Sequence, residues 1–467
     1  MTERRWWLLL TLIVLVTLAR VATTHRVFSQ TIDESSHLLA GYDILTKRDF
    51  STDRMHPPLP RMLFALPFMH EPEPKSEPRF HELLLRNDRY TQNLARMRMG
   101  NLAFLALGVI SVALWARRLI GPHAALLAAV FYASLPPVLA HAGLATTDMA
   151  AASTLVFALY ALDVVLERPR AFALLGIAIA LGLLSKYSFV LNFPACAVVV
   201  LAVRRRFPWK ALLVAGLIGL ALTFIVMPPR DYIAGVLEVR GLNANPPTGF
   251  LFGELRKGGW WYYFPVALFF KTPIAFLILA IAGARRTPVP ALVAAVILGI
   301  AMTSNINIGV RHVLPIYAPL AIAAASVRVR WLVIFMTAWL VIGSALAHPD
   351  YLPWFNFAAG KEPQRVLNDS NLDWGQDVLR LVRLCRDERI PSITTSLASF
   401  APLDRIGLPP RKELQVFQPV HGWVAISEFN IAFGRNLSPE IAKWVDALLK
   451  DRPYRRVGAS IRLYHFN

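Results

Sequence analysis

The stretch TTDMAAASTLVFALYALDVVLERPR, residues 146–170, combines the features that decide the fold. The acid Asp148 stands near its start, an apolar run covers 148–166, and Arg168 and Arg170 stand at its end. About 20 mainly apolar residues are needed to cross the hydrocarbon core of a bilayer. Because Lys and Arg collect at cytoplasmic ends, the stretch predicts a transmembrane helix whose acidic end faces outward.

The same pattern recurs along the chain. Of its 467 residues, 55% are hydrophobic and 17% are charged, whereas soluble domains carry about 25% charged residues. The mean hydropathy is +0.46, which disfavours a wholly soluble enzyme and a disordered protein. We expect eleven spans, over residues 6–23, 98–116, 121–140, 148–166, 171–186, 188–203, 210–228, 263–283, 288–304, 311–326 and 329–347.

Basic residues fall in every second connection between these spans. They are Arg4, Arg5, Arg117, Arg118, Arg168, Arg170, Arg204, Arg205, Arg206, Lys210, Arg285, Arg286, Arg328 and Arg330. The positive-inside rule then places the N-terminus in the cytoplasm, and an odd number of spans places the C-terminus outside. We expect a multi-pass protein of a bacterial inner membrane with a periplasmic C-terminal domain. The net charge of +19 lies mainly in cytoplasmic connections, so nucleic-acid binding has weak support.

The predicted fold class is mainly α, a polytopic membrane protein with about 11 transmembrane helices and a small C-terminal α/β domain outside. The membrane domain covers 1–347 and includes the outer loops 24–97, with interfacial helices, and 229–262. The outer domain covers 348–467. In it we predict helices over Asp373–Cys385 and Pro439–Leu449 and strands over Ile393–Thr395, Gly422–Ile426 and Ile461–His465. The two cysteines, Cys196 and Cys385, indicate no disulfide framework.

Acidic residues stand at two predicted outer ends. Asp33 and Glu34 follow Thr31 in a capping-box pattern at the start of a predicted interfacial helix, and Asp148 opens a span. The simplest interpretation is that all three acids cap helices and favour their dipoles. The functional interpretation is that they meet in one site at the outer face of the membrane. The spacing of the residues leaves both interpretations open.

Cationic residues also gather at predicted outer ends, against the positive-inside bias. His56 and Arg61 flank a proline-rich turn, and the others are Arg96, Lys186, Lys271, Arg311 and His312. Any one of them can be explained by snorkelling at the membrane edge. Ionisable groups at membrane depth are costly, however. Several together favour a phosphate site, because Arg binds phosphate through two hydrogen bonds and Lys binds it as a point charge.

The order of these motifs resembles the GT-C superfamily of membrane glycosyltransferases, of the glycosyltransferase family 39 type. That group includes protein O-mannosyltransferases and the aminoarabinose transferases that modify lipid A. The matching segments are Asp33-Glu34, His56-Pro57-Pro58-Leu59, Ala95-Arg96, Thr146-Thr147-Asp148, Trp261-Tyr262-Tyr263-Phe264-Pro265, Lys271-Thr272-Pro273, Asn307-Ile308-Gly309-Val310-Arg311-His312, His348-Pro349-Asp350-Tyr351-Leu352 and Asn371-Leu372-Asp373-Trp374-Gly375-Gln376-Asp377. The chain departs from the mannosyltransferases at Pro60-Arg61, where they have Gly-Lys, and its loops are too short for their β-trefoil domain.

The resemblance implies an inverting transfer of a sugar from a polyprenyl-phosphate donor to a lipid, glycan or protein acceptor. It implies that Asp33 is the general base, beside Glu34, and that Asp148 supports it. Arg96 and Arg61 are then the first candidates for holding the leaving phosphate. The second group of candidates is His56, Lys186, Lys271, Arg311 and His312. The sequence requires no cofactor and assigns no metal ligand, although a divalent metal between the outer acids is compatible with it.

Two other classes of function use the same features. A transporter or flippase for an anionic lipid-linked substrate needs many spans and cations at membrane depth. Transporters usually carry their polar groups near the bilayer midplane in repeated halves, and we find no internal repeat. A scaffold or receptor whose tail binds glycans would leave Asp33, His56 and Asp148 as helix caps.

Overall fold

The computed structural model describes residues 1–466. Its first part is helical and has one short antiparallel hairpin. The helices are α1 (Glu3–Ala22), α2 (Ile32–Lys47), α3 (Pro58–Ala65), α4 (Arg79–Leu85), α5 (Tyr90–Ile120), α6 (Pro122–Ala133), α7 (Pro136–Ala142), α8 (Thr147–Glu167), α9 (Phe172–Leu183), α10 (Phe189–Arg204), α11 (Trp209–Val226), α12 (Pro229–Ala244), α13 (Tyr263–Lys271), α14 (Ile274–Ala284), α15 (Pro288–Met302), α16 (Tyr317–Ala325) and α17 (Arg330–Leu346). The hairpin pairs β1 (Thr248–Leu251) with β2 (Glu254–Lys257).

Each predicted span coincides with helical structure. Among the described residues, α1, α5, α8 and α11 are long and apolar enough to cross a membrane. The bent pairs α6–α7 (65°) and α13–α14 (116°) raise that number to six if each pair is one span. The other predicted spans are apolar helices of 10–17 residues, namely Pro169–Leu183, Phe189–Arg204, Pro288–Met302, Val310–Ala325 and Arg330–Leu346. The segments are therefore confirmed as helices, and length and composition mark four to six of them as spans.

Residues 24–97, the predicted first outer loop, fold into a packed helical layer. The predicted helix after Thr31 is α2, and the predicted second helix, over 62–68, begins earlier as α3, because a proline fits the first turn of a helix. The two helices touch at Gly41, where a Cβ atom would lie 2.1 Å from the carbonyl oxygen of Arg61. Most of α2 is buried in the protein, so it is packed more deeply than an interfacial helix lying on lipid.

The C-terminal part is an α/β layer, as predicted. Its strands are β3 (Ile393–Ser396), β4 (Arg411–Glu413), β5 (Gly422–Ser427), β6 (Arg455–Val457) and β7 (Ile461–Phe466), in the order β4-β3-β5-β7-β6. The pairs of β3 with β4 and β5 are parallel, and those of β7 with β5 and β6 are antiparallel. Helix α18 (Val378–Asp387) packs on one face, and α19 (Glu428–Gly434) and α20 (Pro439–Leu449) pack on the other.

Two details of this part differ from the sequence interpretation. The helix predicted from Asp373 begins at Val378, because Gly375 has a φ of +86° that a helix does not allow. The segment 348–377, assigned to the outer domain, contributes Tyr351, Leu367 and Trp374 to the core of the helical part. The segment 348–377 therefore packs the C-terminal α/β layer against the helical part.

Candidate active site

Two of the predicted acids and two of the predicted cations meet at one place. Asp33 Oδ2 accepts a hydrogen bond from Arg311 Nη1 at 2.5 Å. The same nitrogen lies 3.7 Å from Asp148 Oδ2. Asp148 Oδ1 in turn accepts from Lys186 Nζ at 2.5 Å. The result is a row of four charges that alternate in sign, which we call the charge row (Asp33, Arg311, Asp148, Lys186).

Helix ends position both acids. Asp33 lies in the first turn of α2, where Thr31 donates its backbone N–H to Glu34 Oε2 at 2.8 Å. Asp148 lies in the first turn of α8 after Thr146, which has an extended backbone. Carboxylates are favoured at these positions because the helix dipole is positive there. The capping interpretation and the site interpretation are therefore both true of the same residues.

Short non-α segments position the cations. Lys186 follows the end of α9, and Arg311 lies in the 3₁₀ helix Val310–Ile316. This 3₁₀ helix is held from outside the bundle, since Asn371 Oδ1 accepts from Val310 N–H at 2.9 Å. The guanidinium of Arg311 also lies 4.3 Å from the centre of the Trp374 ring. The C-terminal segment therefore orients the central cation of the charge row.

The same segment holds the loop before Asp33. The backbone N–H groups of Ser29 and Ile32 donate to the carbonyls of Gln376 and Trp374, at 2.9 and 3.3 Å. The Ser29 hydroxyl donates to the Gly375 carbonyl at 2.8 Å. Residues 374–376 therefore hold both Asp33 and Arg311 in position relative to each other.

The electrostatics of Asp33 favour its ionised form. Burial opposes ionisation of this carboxyl, but the charges of Arg311 and His37 outweigh that effect, so the pKa of Asp33 lies below its usual value. The side chain remains 26% exposed. A negative, partly accessible carboxylate can accept a proton from a hydroxyl group placed beside it.

Glu34 lies in a different environment from its neighbour. It is fully buried, and Arg98 donates to both of its oxygens, at 2.8 and 2.7 Å. The N–H of Ala145 donates to it as well, at 2.8 Å. Besides its cap contact with Thr31, Glu34 therefore fastens α2 to α5 and to the segment before α8, which is the geometry of a structural ion pair.

His56 and Arg61 belong to a second cluster. His56 Nδ1 lies 3.0 Å from Asp53 Oδ2, and Arg61 Nη1 lies 3.3 Å from the same oxygen. Arg61 also donates to the carbonyl oxygens of Asp53 and Pro57 at 2.7 and 3.2 Å, and to that of His56. The buried guanidinium of Arg61 therefore clamps its own loop.

The remaining predicted cations make other contacts. Arg96 is exposed, and it lies over the Phe68 ring and donates to the Pro67 carbonyl at 3.0 Å. Lys271 is buried and donates to the carbonyls of Leu352 and Asn371 at 2.8 and 2.6 Å. Among residues 1–466, no hydrogen bond or ion pair joins either side chain to the charge row. His312 is partly buried, and its Nε2 atom has no partner there.

Comparison with known proteins agrees with this architecture. Residues 91–228, which contain Asp148 and Lys186, match the family model described as dolichyl-phosphate-mannose-protein mannosyltransferase. No curated protein matches the chain. Among solved structures, the chain is similar to ArnT from Cupriavidus metallidurans, aligning over 99% of this chain and 98% of that one. For the structure of ArnT bound to undecaprenyl phosphate, the sequence identity is 12% and the TM-score is 0.52. For apo ArnT they are 13% and 0.53.

The chain has the fold of the GT-C membrane glycosyltransferases. Its apolar helices and these matches support an integral membrane protein, and the predicted resemblance is confirmed at the level of the fold. The oligosaccharyltransferase of Archaeoglobus fulgidus also aligns, over 97% of this chain and 69% of its own, at 12% identity. Its TM-score of 0.44 is too low to support an argument about this chain.

Three features of the site were not predicted from the sequence. Arg98 stands at the start of a predicted span, and the cost of a charge there was the available signal that it is paired. Asp53 stands three residues before His56, a spacing that brings their side chains together. No local signal indicates that the ring of Trp374 packs on Arg311, since their contact depends on the whole fold.

Proposed function

We propose that the protein transfers a sugar from a polyprenyl-phosphate donor to an acceptor hydroxyl at the outer face of the membrane, with inversion at the anomeric carbon. The observation that supports this most is the charge row, which places a partly exposed carboxylate, Asp33, in contact with a buried guanidinium, Arg311. The acceptor is a lipid, a glycan or a protein.

In this reaction Asp33 is the general base. The acceptor oxygen attacks the anomeric carbon, and its proton passes to the Asp33 carboxylate. The carbon–oxygen bond to the phosphate breaks, and its electron pair stays on the phosphate oxygen. General base catalysis of this kind contributes about 10²–10⁴-fold to a rate.

Arg311 and Lys186 receive the negative charge of the leaving phosphate. Both are already held in place by Asp33 and Asp148, so little reorganisation is needed as charge develops. A phosphate that draws Arg311 away from Asp33 also raises the basicity of this carboxylate at the moment it must accept a proton. Asp148 lies between the two cations and holds both in position. Arg96 and Arg61, which the sequence favoured for this task, serve the surrounding structure in this proposal.

The test is donor turnover by purified protein in nanodiscs. A panel of polyprenyl-phosphate sugars is offered with a membrane-lipid extract, and released polyprenyl phosphate is measured by mass spectrometry. We expect Asp33→Asn to lower turnover by about 10²–10⁴-fold. Asp404→Asn is the control, since Asp404 is 73% exposed and lies in the outer domain. A folded Asp33→Asn protein with full turnover would refute the assignment.

The alternative is a transporter or flippase for an anionic lipid-linked substrate. The bent pairs α6–α7 and α13–α14 favour it, because broken helices build the substrate sites of many transporters. At the second bend, however, Lys271 already donates to two backbone carbonyl oxygens. Lipid translocation in proteoliposomes without release of polyprenyl phosphate would support this alternative.

A further inference from the structure

Two histidines and one carboxylate converge beside the charge row. His37, Asp53 and His56 each offer one ligand atom, and these atoms all lie within 4.8 Å of one another. His56 Nδ1 is 3.0 Å from Asp53 Oδ2, and His37 Nδ1 is 3.9 Å from the same oxygen. Ligands of a tetrahedral zinc ion lie about 3.3 Å apart, given bonds of about 2.0–2.1 Å. Of the three pairs, His56–Asp53 is already near this spacing, His37–Asp53 must close by about half an ångström, and the two histidine nitrogens, within 4.8 Å of each other, must also close.

The histidine that lies deepest has a free nitrogen. His37 is 1% exposed, and its Nδ1 atom has no hydrogen-bond partner among the described residues. Buried polar atoms normally have a hydrogen-bond or metal partner. This nitrogen lies 3.9 Å from a carboxylate oxygen, too far for a hydrogen bond, so we expect it to bind another group. The two imidazole rings are nearly perpendicular, at 88°, with their centres 4.7 Å apart. The two rings therefore form a T-shaped pair, in which the edge of one ring faces the other.

The carboxylate is held ready by its other oxygen. Asp53 Oδ1 accepts from the Met55 N–H at 2.9 Å, which leaves Oδ2 directed to the histidines. Arg61 lies 3.3 Å from Oδ2 and opposes a cation electrostatically. Its guanidinium is offset by three carbonyl oxygens of its own loop. Asp33, one helical turn before His37, adds negative charge near that histidine.

We propose that His37, Asp53 and His56 bind a divalent transition-metal ion of the zinc type. Two imidazoles and one carboxylate are a ligand set that zinc accepts with a fourth position open, whereas magnesium and calcium prefer oxygen ligands alone. Of the three proposed ligands, His56 is the most exposed, at 25%, against 7% for Asp53 and 1% for His37. The ion would join α2, which carries Asp33, to the loop before α3, and so would position the proposed base without touching the reacting atoms.

The experiment measures metal binding alone. The full-length protein is purified in detergent, stripped with a chelator and dialysed against Zn²⁺, and bound zinc is counted by elemental mass spectrometry. We expect one zinc per chain at this site, retained in excess Mg²⁺. We expect His56→Ala to weaken zinc binding by more than about 100-fold. Loss of a residue that only hydrogen-bonds to a metal ligand costs about 10–100-fold, so a larger loss indicates a direct ligand. His70→Ala is the matched control, an exposed histidine of the same loop.

Two further readouts guard against misfolding of the variant. Co²⁺ in place of Zn²⁺ should give visible absorption bands in the wild type and in His70→Ala but not in His56→Ala. Zinc should raise the melting temperature of the wild type and leave that of His56→Ala unchanged, because an ion stabilises only a state that binds it. Equal zinc content and affinity in His56→Ala and wild type would overturn the proposal. None of these measurements depends on sugar transfer, so their failure is separate from failure of the proposed function.

Discussion

At the scale of the residue, the pair Asp33–Arg311 makes a prediction about pH. The pKa of Asp33 is below its usual value because Arg311 and His37 outweigh the effect of burial. The base form is therefore present down to unusually low pH, and the acidic limb of kcat/KM should lie there. Arg311→Gln removes the main opposing charge, so the limb should move to higher pH, whereas Arg311→Lys should move it less. A limb that stays in place in residual Arg311→Gln activity would contradict the assignment of Asp33 as the base.

Glu34 gives the complementary prediction, about stability. Glu34→Gln leaves the buried Arg98 without its counter-charge, and breaking a buried ion pair costs about 3–5 kcal/mol. We expect a lower melting temperature and a lower yield, measured by size-exclusion chromatography after heating. Asp33→Asn is the comparison, since its carboxylate is partly exposed and should affect turnover more than stability. A Glu34→Gln protein with unchanged melting temperature and no turnover would show that Glu34 is catalytic.

At the scale of the element, the turn 374–376 is the piece that unites acid and cation. Gly375 has a φ of +86°, and a Cβ atom there would lie 2.8 Å from the Ala398 carbonyl oxygen. Gly375→Ala should therefore destabilise the turn by about 1–3 kcal/mol and displace Trp374 and the carbonyls that hold Ser29. We expect a lower kcat even at a temperature where the variant is fully folded, so that the loss is not explained by unfolding. Donor turnover measures it.

Gly360→Ala is the matched control for that turn. Gly360 has a similar φ of +70°, but a Cβ atom there meets nothing within 4 Å. It carries the backbone strain without the clash and lies outside the segment that holds Asp33. If both variants lose the same turnover, the effect is general strain and the turn has no special role in the site.

Helices and strands were easier to predict from the sequence than the contacts between residues far apart in the chain. Apolar runs, prolines and the Thr31–Glu34 cap are local signals, and they predicted the helical segments, α2 and α20 correctly. The strands β3, β5 and β7 begin at the predicted residues. Local periodicity failed at Asp373, where Gly375 breaks a pattern that reads as helix. Which cation meets Asp33 was beyond local signals, because Arg311 lies 278 positions away.

At the scale of the whole molecule, the charge row is assembled from segments far apart in the chain. Asp33 comes from the first outer loop, Asp148 and Lys186 come from helix ends in the middle, and Arg311 comes from a late 3₁₀ helix. The ring that packs on Arg311 comes from the segment that leads to the α/β layer. The bundle and the C-terminal part are therefore one unit around this site, and the role of the tail includes holding the site together.

The charged groups near the two ends of α8 support a prediction about how the chain is oriented in a membrane. Asp148 stands at one end, and at the other Asp163 accepts from Arg118 and Arg204, both at 2.7 Å. The 21 residues of α8 are about 31 Å long, close to the hydrocarbon thickness of about 30 Å, and Asp148 and Asp163, 15 positions apart, are separated by about 22 Å along it. We therefore expect the charge row and the arginine cluster (Arg118 and Arg204, around Asp163) on opposite faces of the membrane.

This geometry predicts the orientation of the chain. Because the positive-inside rule puts the arginine cluster in the cytoplasm, the charge row and the C-terminus should lie outside. Fused after residue 467, alkaline phosphatase should be active and green fluorescent protein dark, since the first needs an oxidising compartment and the second fails to fold when exported unfolded. Fusions after Arg206, in a basic connection, should give the reverse pattern. A fluorescent C-terminal fusion would place the charge row in the cytoplasm and remove the basis for an outer-face donor.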